Sequence, residues 1–575
     1  MLHLWLQVGF VLLMTLAISI VAGRYLAQVV TDQKTFLDPL LNPIDNTIYR
    51  LIGKESCYRE MDWKSYTINM LITNLVMALI IYFILVFQGV LPINPLKLDG
   101  MDPILAFNTA ISFITNTNWQ SYAGESTLSN FSQMTAITFP MFTSAATGFV
   151  VAVAFIRAFL SQGESGGLGN FYRDLIRFIT RVLLPVSVLA ALFLIWQGVP
   201  ETMSAGTLVS PLAGGHQTLS LGPVAAQESI ENFGTNGGGF FNVNAAHPYQ
   251  NPNPLTNIVL LLLMAGLPAA LVIMFGSMIH QQRQARVIYG VMAVMLVAFL
   301  AVVLISEQAG TPLLQQMGIN LHASAGQPGG NMEGKDLRFG ITLSGLYAAY
   351  TTAFTTGSVN AMHDSFTPVA SVSMFMQMML QCVFGGKGVG FLSFLIYGLI
   401  GVFVAGLMVG RTPEFMGKRI EKREIILISL ALLIHPMVIL IPSSISMILP
   451  TAISSLNNSG MHGYSEVLYA FTSAAANNGS AFAGLNANTP WYNLTIALVI
   501  FLGRYPPIIF LMAVAGSLSA KPTVPQSAGT LRTDTPLFGA WWLVVILVVG
   551  ALTFLPALLL GPIAEQFAML SHTLF

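Results

Sequence analysis

Four short polar segments interrupt an otherwise apolar chain, and their residue types can replace the water around a cation. They read Thr115-Asn116-Thr117-Asn118-Trp119, Thr235-Asn236-Gly237-Gly238-Gly239, Thr355-Thr356-Gly357-Ser358 and Asn477-Asn478-Gly479-Ser480. With Asn116, Asn236, Thr356 and Asn478 taken as equivalent, the intervals are 120, 120 and 122 residues. A fixed period of self-similarity is a property of the whole fold. Threonine and asparagine bring hydroxyl and amide oxygens. Glycine lets successive carbonyls turn the same way, which needs φ > 0 at alternate residues. Carbonyls so arranged substitute for the hydration shell of K⁺. One such segment alone would be an ordinary loop. Four at one period predict a cation path walled by Asn116, Thr117, Asn118, Thr235, Asn236, Gly237, Thr355, Thr356, Gly357, Asn477, Asn478 and Gly479. On this alignment the first segment carries Thr117 where the others have glycine, so the path is not strictly fourfold.

Each segment follows a short semi-polar stretch (104–114, 227–234, 343–354, 466–476) and precedes a long apolar run. The unit is therefore span, half-helix, polar loop, span. Non-helical backbone survives at membrane depth only where it is buried or lines a watery path. Half-helices entering from outside aim their C-terminal ends at the membrane centre. Each such end carries roughly half a negative charge, so four of them favour a cation.

The composition requires a bilayer around these elements. Charged residues make up 8% of the 575 and hydrophobic residues 54%, against roughly 25% charged in a soluble domain. Net charge is zero, which gives no sign of nucleic acid. Cys57 and Cys382, the two cysteines, lie too far apart in kind and position to suggest a disulfide framework. Apolar runs long enough to cross lie near 4–22, 67–91, 132–160, 178–197, 255–280, 287–305, 369–410, 425–449, 493–518 and 537–561. The predicted fold is an all-α membrane protein with ten transmembrane helices. Four pseudo-fourfold repeats occupy 65–172, 173–285, 286–422 and 423–519. Extra spans lie in 1–64 and 520–575. Nineteen of the 24 basic residues, from Arg24 to Arg532, fall on one side of these spans. The positive-inside rule makes that side cytoplasmic and puts both termini outside. The first run lacks a basic n-region and is followed by Arg24, as expected of an uncleaved span.

Other residues stand out against this frame. The 369–410 run is too long for one crossing and contains Gly385-Gly386-Lys387-Gly388, which predicts a broken helix beneath the third loop. Arg504 lies mid-span, too deep to snorkel, and is a candidate gating residue together with Gly386, Lys387 and Gly388 of the broken helix. His363-Asp364 reads as a structural hydrogen-bond pair rather than acid–base machinery. Glu125, Glu228, Glu231 and Asp364 flank the outer mouth, either attracting cations there or standing as solvated rim charges. Arg411 to Glu424 is a dense charge cluster. The chain has no DKTG motif, no Gly-Lys pair completed by Ser or Thr, and no cytoplasmic loop beyond about 45 residues, so any ATP hydrolysis belongs to another chain.

The four loops resemble the filter segments of the potassium transporter superfamily, which includes the Trk, Ktr and HKT proteins. The strings TNTNWQSYAGE from Thr115, ENFGTNGGGFFN from Glu231, AMHDSF from Ala361, GRTPEFMGKRI from Gly410, HGYSEVLYAFTSAAANNGSAFAGL from His462 and GALTFLPALLLGP from Gly550 are similar to the KdpA family. The resemblance covers nearly the whole chain, including both extra spans. It implies a channel-like K⁺-binding subunit of the Kdp ATP-driven uptake system in the bacterial inner membrane. Such a subunit takes K⁺ from outside through a filter. It passes the ion through an intramembrane tunnel to the P-type ATPase subunit KdpB, and KdpC and KdpF complete the complex. The resemblance also implies that Arg504 lies beneath the filter and that the Arg411–Glu424 cluster contacts the ATPase subunit. No catalysis by this chain alone and no covalently bound cofactor are expected. The alternative is a stand-alone channel or symporter of the Trk, Ktr or HKT kind.

Overall fold

In the computed structural model, residues 2–571 and 573 are described, apart from 162–166, 205, 213, 325–326, 387 and 526–529. Apolar runs become helices where the sequence supplies a start. Asp62, Asn253, Thr489 and Thr535 each accept a backbone N–H of the first turn, and the last three are followed by proline at the first helical position. In chain order the helices are α1 (Leu2–Val30), α2 (Trp63–Val86), the half-helix α3 (Pro103–Ile114), α4 (Asn130–Leu160) and α5 (Phe171–Trp196). The second unit continues with the half-helix α6 (Val224–Phe233), α7 (Pro254–Met278) and α8 (Gln282–Ala309). Then come the half-helix α9 (Gly340–Ala353), α10 (Pro368–Leu380), α11 (Val389–Val409) and α12 (Lys422–Ser446). The half-helix α13 (Gly460–Ala475), α14 (Pro490–Ser519), α15 (Pro536–Leu560) and the short α16 (Pro562–Leu570) complete the chain. Among the described residues, ten helices are long and apolar enough to cross a membrane.

These ten fall into two shells. In the spans that follow the polar loops (α4, α7, α11 and α14), 56 to 89% of the most apolar stretch is buried in the protein; in the other six the share is 22 to 44%. The outer six carry their exposed large side chains, such as Leu13, Leu189 and Leu552, where lipid would meet them. Close packing joins the shells. A Cβ on Gly23 of α1 would stand 2.6 Å from the Ile273 Cβ of α7. The extra first span is thereby seated on the second repeat.

The 369–410 run is two helices. α10 stops at Gln381, whose φ is +52°, and the chain restarts at Gly388, whose φ is +83°. The expected break is present, but Lys387 lies outside the described residues. The charge cluster after α11 forms a two-residue antiparallel hairpin, Glu414–Phe415 against Lys418–Arg419. Lys418 is fully buried, and its ammonium donates to the Ser161 carbonyl at 2.6 Å and to the Lys521 carbonyl. Both cysteines are free and buried.

Candidate ion-binding site

The four polar loops share one backbone design. The N–H of Thr117 donates to the Ser112 carbonyl at 3.1 Å, Asn236 to Glu231 at 2.8 Å, Thr356 to Thr351 at 2.9 Å and Asn478 to Ser473 at 2.9 Å. Each bond spans five residues back into the preceding half-helix. Each of these residues sits between two with positive φ: Asn116 and Asn118, Thr235 and Gly237, Thr355 and Gly357, Asn477 and Gly479. Alternating left-handed residues turn successive carbonyls to the same side, and the backward bonds hold the N–H groups on the other.

This pattern corrects the alignment of the first loop. Thr117, not Asn116, is the counterpart of Asn236, Thr356 and Asn478, and Asn118, not Thr117, occupies the glycine position. Asparagine tolerates the left-handed region better than other side-chain-bearing residues. The departure from fourfold symmetry is thus one amide side chain. The Asn118 amide oxygen and nitrogen are buried and unpartnered among the described residues.

The loops close into a ring. A Cβ on Gly237 would stand 2.2 Å from the Thr356 carbonyl oxygen, one on Gly357 1.9 Å from that of Asn478, and one on Gly479 1.9 Å from that of Thr117. Between loops one and two, Asn116 donates its amide to the Thr235 carbonyl at 2.8 Å, and Asn236 donates to the Asn116 amide oxygen at 2.7 Å. Asn477 donates to the Thr117 hydroxyl at 3.0 Å. Every twelve-residue site member from Asn116 to Gly479 lies in this ring. The sequence reading missed its scaffold. The hydroxyl of Tyr347 meets that of Ser358 at 2.9 Å, and that of Tyr469 meets Ser480 at 2.9 Å. The equal spacing of eleven residues in both repeats was the available signal.

Below the ring is a cavity of about 10 Å³, lined by Asn116, Thr355, Gln381, Gly386, Val389, Gly390, Ala476, Asn477 and Arg504. The broken-helix loop comes up to the third polar loop. Gly385 donates to the Ala353 carbonyl at the end of α9 at 2.9 Å, and a Cβ on Gly386 would stand 2.3 Å from the Thr355 hydroxyl. Gly388 packs instead against α4, where a Cβ would stand 1.9 Å from the Gly148 carbonyl. Arg504 is 6% exposed, and among the described residues no carboxylate pairs with it. A fixed cation therefore stands beneath the carbonyl ring.

Two expectations about nearby charges change. Glu228 and Glu231 are fully buried in α6 and are not rim charges. Glu228 accepts from Asn232 at 2.9 Å and from the Gln250 amide, whose position 22 residues on no local pattern reveals. His363 and Asp364 do not bond each other. His363 Nδ1 meets the Tyr469 hydroxyl at 2.7 Å, and Asp364 meets His462 Nε2 at 2.8 Å. Both are structural ties between repeats three and four. Glu125 is a surface residue that accepts from the Asn242 N–H at 3.0 Å.

Four helix–loop–span units closed into a ring, with two further spans outside them, define a channel-like membrane transporter fold. The potassium transporter TrkH from Vibrio parahaemolyticus shares it, with a TM-score of 0.51 at 12% identity over 87% of this chain and 98% of that one. Residues 9–567 match the family described as potassium-transporting ATPase A subunit, KdpA, and the chain belongs to that family. It is 50% identical to the potassium-transporting ATPase potassium-binding subunit of Delftia acidovorans, over 99% of each chain. It is also 50% identical to that of Alicyclobacillus acidocaldarius, over 98% of this chain and 99% of the relative.

Proposed function

We propose that this chain is the K⁺-binding subunit of an ATP-driven potassium uptake complex and that the ring of four loops is its filter. The observation that carries the reading is the shared loop design: one backward hydrogen bond and two flanking left-handed residues, four times over. In this reading Asn116, Thr117, Asn118, Thr235, Asn236, Gly237, Thr355, Thr356, Gly357, Asn477, Asn478 and Gly479 shape the ion sites, and K⁺ is cargo rather than a cofactor. The C-terminal ends of α3, α6, α9 and α13 add negative potential below them.

The complex comprises a P-type ATPase subunit, KdpB, and the small subunits KdpC and KdpF. It lies in the bacterial inner membrane, with both termini of this chain outside. The excess of basic residues on the opposite side supports that orientation. The missing nucleotide motifs and family membership support assigning ATP hydrolysis to the partner. Arg504, with Gly386 and Gly388 of the broken helix, closes the straight path to the cytoplasm and turns the ion towards the ATPase subunit. At an effective dielectric of 20, like charges 4 Å apart repel by about 4 kcal/mol, which lowers occupancy about a thousandfold.

The test is K⁺ uptake and ATP hydrolysis measured together in vesicles containing the assembled complex. Arg504→Met is expected to lower the number of K⁺ ions moved per ATP. Wild-type coupling and K⁺ affinity in Arg504→Met would assign the barrier elsewhere. Rapid K⁺ flux through this chain alone, independent of ATP, would favour the stand-alone Trk-like alternative.

A further inference from the structure

Between α1 and α2 the chain forms a helix of 15 residues, Asp38–Ile52, that belongs to neither span. At 1.5 Å per residue it is about 22 Å long, too short to cross a hydrocarbon core of roughly 30 Å. It has three faces. Leu41, Asp45 and Tyr49 point into the protein and are buried. Asn46 and Arg50 are exposed on a polar side. Leu40, Ile44 and Leu51 form an apolar stripe within about 40° of arc, at 3.6 residues per turn. All three are exposed, Leu40 and Leu51 to 71 and 83%. Phe36, 79% exposed, carries the stripe back to α1, where its ring lies 5.5 Å from that of Tyr25.

The depth of this helix is fixed by Arg181 of α5. The guanidinium, fully buried, donates to Asp38 at 2.9 Å and also to Asn42 and Asp45. Arg181 is the last charged residue of α5, since residues 182–196 carry none. Tyr25 of α1 donates its hydroxyl to the Arg181 carbonyl at 2.9 Å. Its neighbour Arg24 ends the uncharged run of α1. The clasp therefore stands where the apolar runs of two lipid-facing spans stop, at the boundary between hydrocarbon and headgroups. An amphipathic helix held at that level lies in the membrane plane with its apolar face towards the acyl chains. The charges around it suit phosphates. Lys34, Arg50, Lys54 and Arg59 are exposed, and among the described residues no carboxylate pairs with them. Against these four, the exposed carboxylates from Lys34 to Glu60 are Glu55 and Glu60; Asp38 and Asp45 are taken by Arg181. Juxtamembrane cations in excess attract anionic lipid.

We propose that Asp38–Ile52 is an in-plane membrane helix that inserts Phe36, Leu40, Ile44 and Leu51 into an anionic phospholipid leaflet, with Lys34, Arg50, Lys54 and Arg59 at its phosphates. The occupant of the apolar stripe is lipid rather than another chain, because the stripe continues the lipid-facing surface of α1 and is fringed by unpaired cations. Asn46 stays in water. The proposal concerns the face away from the four loops and stands independently of the filter reading.

The experiment uses the assembled complex in vesicles of phosphatidylcholine and phosphatidylglycerol. The two native cysteines, both buried, are replaced by Cys57→Ala and Cys382→Ala, and a fluorophore is attached at Leu40→Cys, Leu51→Cys or Asn46→Cys. Lipid spin-labelled high on its acyl chain should quench the labels at 40 and 51 at least about threefold more than the label at 46. Aqueous iodide should show the reverse order. At Leu40→Cys, spin-labelled phosphatidylglycerol should quench about threefold more than spin-labelled phosphatidylcholine, and Arg50→Gln with Lys54→Gln should remove that preference. Equal iodide access at all three positions would place the stripe in water. Shielding of 40 and 51 from both quenchers would mean that a partner chain covers it. Equal quenching by the two lipids would remove the anionic leaflet. Each of these results overturns the proposal. A second measurement needs no substitution: wild-type complex in vesicles containing a photoactivatable phosphatidylglycerol should carry adducts within residues 36–52. Adducts confined to the ten spans would overturn the proposal as well.

Discussion

At Gly479 the backbone φ is +94° and a Cβ would stand 1.9 Å from the Thr117 carbonyl oxygen. A methyl group there is strained by its own backbone and displaces a neighbouring loop. Gly479→Ala is expected to weaken K⁺ affinity at least about tenfold, or about 1.4 kcal/mol, read from the K⁺ dependence of ATP hydrolysis in the complex. Gly237→Asp is expected to weaken affinity and also discriminate less well among monovalent ions, because a carboxylate enters the carbonyl ring. The corrected register makes an opposite forecast for the first loop. Asn118 already sits in the left-handed region with an amide unpartnered among the described residues, so Asn118→Gly should leave K⁺ affinity within about threefold of wild type. A different residue-scale forecast concerns Lys335. It pairs with Glu307 at 2.7 Å, both side chains are fully buried, and its ammonium stands 4.1 Å from the Phe366 ring. Lys335→Met leaves the carboxylate unpaired and should destabilise the folded chain by about 3–5 kcal/mol. The double variant Lys335→Met with Glu307→Gln should recover much of that loss, as thermal unfolding of the purified complex would report.

Among the elements, α13 is fastened at its outer end by His462. Its Nε2 meets Asp364 at 2.8 Å and its Nδ1 meets Glu565 of α16 at 2.8 Å, so one imidazolium joins the third outer loop, the fourth half-helix and the last helix. Burial opposes the charge, but Asp364 and Glu565 outweigh it and raise the imidazole to about 10. The folded value lies above the unfolded one, near 6.5. The stabilisation is therefore full below about pH 6.5 and is lost progressively as pH rises towards about 10. Thermal stability should fall across that range, and His462→Gln should remove this part of the pH dependence. The elements themselves were legible in the sequence because the bilayer fixes their length and apolarity. The expected half-helix at 104–114 is Pro103–Ile114, whereas that at 466–476 begins earlier, at Gly460. The glycine and its φ of +66° mark that start better than the later apolar residues do. Less legible was anything decided across the fold. The residue types Thr-Asn-Thr-Asn fit two alignments, and the bond from Thr117 back to Ser112 together with the positive φ of Asn116 and Asn118 chooses between them. Glu228 and Glu231 looked like rim charges because a short semi-polar stretch does not reveal that it is wholly enclosed.

For the whole molecule, the two shells divide the work. The four inner spans and the half-helices hold the ring, and the six outer spans face lipid or other chains. Family membership and the absence of nucleotide motifs lead to a forecast for the intact assembly: this chain purified alone should show no K⁺-stimulated ATP hydrolysis, whereas the complex should. Hydrolysis by the chain alone, free of contaminating ATPase, would refute the division of labour. The central claim is that the ring of four loops holds K⁺, and the most direct measurement is an anomalous difference map of the assembled complex crystallised in Rb⁺ or Tl⁺. The account predicts peaks on the axis between the carbonyls of Thr117, Asn236, Thr356 and Asn478. An empty ring in a map that shows these ions bound elsewhere in the chain would contradict it.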